Sequence, residues 1–219
     1  MTSLVGWINN HGKVRAIFDE EQARISLSNR GYSLVLAYLM ANLTRWTSHC
    51  VSFIRLLSIQ DALKSAVYAK CALIVKAEVG AAKSTEAVRL TADAETHYSL
   101  IIDPTFWNGL EQVVGDIEPI CYGTNINQKD STRPDQVLLV LVGMYLHFCE
   151  HPEDQVCTGM MKRLEKRWKD CDQPLFILAL ILNPYERLSC FGERANLSFF
   201  EVNHLLISVR FTFMFCVLS

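Results

Sequence analysis

The sequence predicts a mainly α fold with about one strand, and three observations predict it. Apolar residues recur at helical spacing through most of the 219 residues. Helix punctuation (Gly31, Asp103-Pro104, Pro134, His151-Pro152 and Asn183-Pro184) divides the chain into pieces of ordinary helix length. One stretch, residues 33–43, is short and apolar, rich in Leu, Val and Tyr, and its periodicity alone does not separate strand from helix.

Residues 3–29 read as one helix, because Leu4, Ile8, Val14, Ile17, Phe18 and Ile25 fall near one face. Gly12 weakens its middle, and Gly31 suits a left-handed cap at its end. After residues 33–43, Thr47 or Ser48 can cap a helix that carries Val51, Ile54 and Leu57. Asp61 opens the next helix, with Leu63, Ala66 and Val67 inward, and residues 80–84 break it. Residues 86–102 are helical again. Asp103 then caps a helix with Pro104 in its first turn, carrying Phe106, Trp107, Leu110, Val113, Val114 and Ile117. Pro119 should kink or end that helix. Residues 129–135 form a polar loop before the apolar helix 135–150. Residues 153–170 are amphipathic, with Met160, Met161, Leu164 and Trp168 toward the core, and the apolar run 172–182 closes at Asn183-Pro184.

Half of the residues are hydrophobic and the mean hydropathy is +0.15, which excludes a largely disordered chain. The net charge of −2 supplies no global basic field, so any nucleic-acid contact must be local. Eight cysteines are spread without a CxxC pair, and the first 13 residues lack the apolar core of a secretory signal. Free thiols and a soluble, intracellular (nuclear or cytoplasmic) protein are therefore expected. The sequons at Asn42 and Asn196 carry no meaning without secretion, and no apolar run reaches the ~18 residues that span a bilayer.

The run Thr44-Arg45-Trp46-Thr47-Ser48 is the best candidate for function. A planar guanidinium suits a phosphate, and an indole can stack a displaced base, with Thr44 or Ser48 assisting. The bland reading is a half-buried Trp beside a surface Arg. Lys162, Arg163, Lys166, Arg167 and Lys169 form a basic stretch, but Glu165 and Asp170 interleave with it, so it reads as a solvated face. His147 and His151 are four apart, with Cys149 and Cys157 nearby, but no paired motif supports zinc. No phosphate loop occurs, and no cofactor is expected.

Three ordered blocks resemble the middle of hAT-superfamily DNA transposases of the fungal type. They are residues 43–49 with Ile54-Arg55-Leu56-Leu57; then Phe106-Trp107-Asn108-Gly109-Leu110 with Glu118-Pro119-Ile120 and residues 127–130; then residues 164–168 with 172–184. The resemblance covers roughly residues 3–195. It implies that 1–49 is the late part of a split RNase H-like domain, that its strand leads into Arg45-Trp46, and that 50–195 is the helical insertion. The tail 196–219 is unmatched. Such enzymes hold Mg²⁺ or Mn²⁺ on three acids, which cut and join DNA at transposon ends. Those acids lie outside the stretch that this chain resembles, and the family's dimerisation segment is not seen. The expectation is a catalytically incomplete fragment with no catalytic or metal residues, DNA as a partner, and no membrane. A DNA-binding or protein-interaction module without chemistry is the alternative.

Overall fold

The computed structural model describes residues 2–42, 46–186, 191, 198, 200–207 and 209. Its fold is mainly helical, no strand occurs among the described residues, and no described helix is long and apolar enough to cross a membrane. The chain divides into two compact units, Met1–Glu118 and Pro119–Ser219.

The first unit contains α1 (Thr2–Asn10), α2 (Gly12–Arg30), α3 (Trp46–Ser58), α4 (Gln60–Val79), α5 (Thr85–Ile102) and the first turns of α6 (Pro104–Asn127). Its core gathers Leu4 and Ile8 of α1 with Phe18, Leu56, Leu63, Ile74, Ile101 and Trp107, each at most 1% exposed, so every one of these helices is represented. Burial on this scale supplies the main stabilisation, at about 1.5–3 kcal/mol for each large apolar side chain. α2 and α4 are also joined by the buried Glu21, whose carboxylate accepts from Arg24 and from the Ser65 hydroxyl at 2.6 Å. The Arg24 hydrogen bond holds the Glu21 carboxyl below its usual range.

The single helix expected over residues 3–29 is two helices. His11 leaves the helical region (φ −114°, ψ 82°), because its ring is committed elsewhere. Nδ1 donates to the Trp7 carbonyl at 2.8 Å, and Nε2 lies 3.1 Å from the fully buried Glu78 carboxylate. Gly12 opens the second helix, and Gly31 ends it with φ 75° and its N–H on the Leu27 carbonyl, as the sequence predicts.

The strand expected before Arg45-Trp46 is not formed. Residues 33–42 run as an irregular strap whose backbone is bonded by side chains and not by a neighbouring strand. The Ser26 hydroxyl accepts from Leu34 N–H at 2.7 Å, and Gln22 Oε1 accepts from Leu36 N–H at 2.9 Å. Gln22 Nε2 donates to the Leu36 carbonyl and to the Tyr38 hydroxyl, Asn9 donates to the Tyr38 carbonyl, and Ser52 to the Leu39 carbonyl. These side chains satisfy polar groups that a sheet ladder otherwise would. Burial still alternates in part, with Leu34, Leu36 and Tyr38 less exposed than Val35 and Ala37.

α6 carries Pro119 inside it and continues to Asn127, so of the expected kink or end at this proline, the end does not occur. A proline removes one donor from the ladder, and the helical bonds resume after it. The division between the two units falls at this residue.

The second unit holds the end of α6 with α7 (Pro134–Cys149), α8 (Asp154–Lys169), α9 (Gln173–Ile181) and a helical segment at 200–207. Gly123 lets α6 approach α7 closely, since a Cβ there would meet Val140 Cγ1 at 2.8 Å. At the start of α7 the buried Asp135 carboxylate takes two bonds from Arg133 (3.0 and 2.9 Å) and one from Asn183 Nδ2 at 2.8 Å. This ties the α7 N-terminus to the end of α9, and the acid also favours the positive pole of the helix.

Arg133 first, and then Asn183, hold the Asp135 carboxyl below its ordinary 3.8. A depressed folded value means that the contribution is complete above 3.8 and is lost as pH falls through the lower folded value. Melting measured from pH 7 down to 2 should therefore separate wild type from Asp135→Asn at neutral pH, and the two curves should converge in acid. Parallel curves over the whole range would contradict this link.

Candidate functional site

Thr44 and Arg45 lie outside the described residues, and for Trp46 only the backbone is described. That backbone opens α3, so the chain enters a helix directly at Trp46. The expected cap by Thr47 or Ser48 is not made, since both lie inside the first turn. Ser48 instead turns its hydroxyl back on the strap, accepting from Asn42 N–H and donating to the Asn42 carbonyl, both at 2.9 Å. Its proton is thereby engaged within the chain.

The surroundings of this helix start are mixed in character. His49 packs edge-on against Phe53 with ring centroids 6.0 Å apart, and Arg55, one turn further on, reaches the Ala37 carbonyl at 3.5 Å. The strap is thus fixed at both ends, by Gln22 and Ser26 of α2 on one side and by Ser48, Ser52 and Arg55 of α3 on the other. The chain arrives at Trp46 from an anchored segment.

Glu21 and Asp135 are matched by Arg24 and Arg133, and the Glu78 carboxylate faces the His11 ring. Among the described residues no three His, Cys, Asp or Glu side chains gather as metal ligands. The His147/His151 pair does not share a helical face, because α7 ends at Cys149 and His151 Nδ1 accepts instead from Glu153 N–H at 3.1 Å. All six described cysteines are free thiols.

A second feature was not singled out by the sequence reading. α7, α8 and α9 enclose an open groove of about 410 Å³, lined by apolar residues that include Leu138, Tyr145, Leu164, Trp168 and Ile177, with Glu165 at its edge. Trp168 faces this groove, as its spacing predicts. Glu165 therefore lies between the apolar side of α8 and Lys162 and Lys169, its neighbours three and four residues away. The signal was available: at about 100° per residue, Glu165 falls between Trp168 and Lys169 on the helical wheel.

No protein-family model matches the chain, and no curated protein or solved structure matches it either.

Proposed function

We propose that this chain is a catalytically incomplete piece of a hAT-like transposase that keeps a DNA-contacting element at Arg45-Trp46, with Thr44 and Ser48 beside it. What carries the reading is the order of the three sequence blocks along a helical array: the first enters α3, the second opens α6, and the third joins the end of α8 to α9. The anchored strap supports it, because a base-stacking indole needs a fixed approach. In this reading Arg45 contacts a phosphate, Trp46 receives a displaced base, and Ser48 fixes the entry to α3. Mg²⁺ or Mn²⁺ belongs to the ancestral cleavage reaction, and this chain leaves transposon-end DNA uncut.

The test is binding to a short duplex with one unpaired base next to a nick. Trp46→Ala should weaken binding to it by roughly 5–150-fold, the worth of one stacked base. The fully paired duplex should respond less. Equal losses on both duplexes, or none, would remove the stacking role. Metal-dependent nicking by the wild-type chain would overturn the claim of incompleteness.

The alternative, a module retained for binding without chemistry, draws on the exposed apolar residues Val142, Tyr145 and Leu146 of α7. It predicts stable association with a protein partner that survives Trp46→Ala.

A further inference from the structure

We infer that the outer face of α8 is a docking surface for the sugar-phosphate backbone of duplex DNA, separate from Arg45-Trp46. Lys162, Arg163, Lys166, Arg167 and Lys169 are all exposed, and none makes an ion pair with a described residue. On an ideal helix they form two rows, 162/166/169 and 163/167, covering an arc of about 160°. No acid interrupts that arc between 162 and 169, because Glu165 lies at its margin, against the groove. Asp170, at the C-cap, falls within the arc between Lys166 and Arg163 and bounds the basic face at its C-terminal end. The three basic residues in the last turn are also where the helix dipole favours positive charge.

The geometry separates the classes of polyanion. A helix about 10–12 Å across fits a major groove about 12 Å wide, and two basic rows can then meet the phosphates of both walls. A membrane-surface helix needs apolar side chains beside its cations. Here Leu164 and Trp168 point to the opposite side, into the groove with α7 and α9. The chain as a whole carries −2, so this attraction is local to α8. The surface reads no bases, since five exposed cations set affinity and register but not sequence.

The full chain is titrated into a fluorescent random-sequence duplex at 50 and 200 mM salt. Five phosphate contacts make the affinity fall by about 500-fold between those salt concentrations. In the triple variant Lys162→Gln, Lys166→Gln, Lys169→Gln only two contacts remain, and the fall shrinks to about 12-fold. All three positions are exposed, and an unchanged circular dichroism melt establishes that the variant is folded. Trp46→Ala, measured alongside, should keep the wild-type salt slope. Equal slopes in wild type and triple variant would overturn the inference while leaving the stacking proposal intact. Retention of the α8 effect with no effect of Trp46→Ala would do the reverse. Binding to phosphatidylserine vesicles or to polyglutamate in preference to the duplex would replace DNA with another polyanion and also overturn it.

Discussion

Trp107→Ala should destabilise the chain by about 3–5 kcal/mol, the usual cost of emptying a large aromatic site in a core. Trp107 is 1% exposed and sits in the first turns of α6 among the core residues of the first unit. Its ring meets Phe106 edge-on at 5.0 Å, and the Lys64 ammonium lies 5.4 Å from its centroid. Its indole N–H donates to the Ile101 carbonyl at 2.7 Å, close to the C-terminus of α5, where helix carbonyls lose their own partners. The side chain thus fills space and also closes the α5–α6 corner set by Asp103 and Pro104. Trp107→Phe keeps much of the ring but strips the donor, and should cost on the order of 1–2 kcal/mol. Urea unfolding separates the two effects. A loss under 1 kcal/mol for the alanine variant would mean that this corner is not part of the cooperative core.

How much of this was legible in the sequence depended on how local the cause was. The Asp103 cap, whose carboxylate accepts from Thr105 N–H at 2.8 Å, is set by residues two apart, and the turn at Gly31 by residues four apart. Apolar spacing placed Leu164 and Trp168 of α8 and Leu63 and Val67 of α4 correctly, because a packed face repeats with the helix. The break at His11 was not legible, since its partner Glu78 lies at the far end of α4. Nor was the fate of residues 33–42. Their composition suits a strand, but a strand needs a neighbour, and here Gln22, Ser26, Asn9 and Ser52 supply the bonds from helices. The basic residues of α8 read as a solvated face, and all five are exposed.

Gln22→Ala should release the strap, with a loss on the order of 3 kcal/mol concentrated at residues 33–42, because several buried polar groups lose their partner at once. Gln22 is 5% exposed, and its single amide bonds both backbone groups of Leu36 as an adjacent strand would. The same amide nitrogen donates to the Tyr38 hydroxyl at 2.7 Å. Burial raises that phenol above its usual range, so it stays neutral and cannot lower its own cost by ionising. The Arg15 guanidinium lies over the Tyr38 ring, 5.6 Å from its centroid. Hydrogen exchange gives the decisive readout: the amide of Leu36 should lose protection by a factor of about 100 or more, far beyond that of Ile74 in α4. Because this strap delivers the chain to α3, the variant should also weaken binding to the duplex with the unpaired base under the proposed function, although Gln22 lies well before Trp46 in the chain. A protected Leu36 amide in Gln22→Ala would show that the strap is held by its apolar contacts alone, and that the entry to α3 is fixed by some other group.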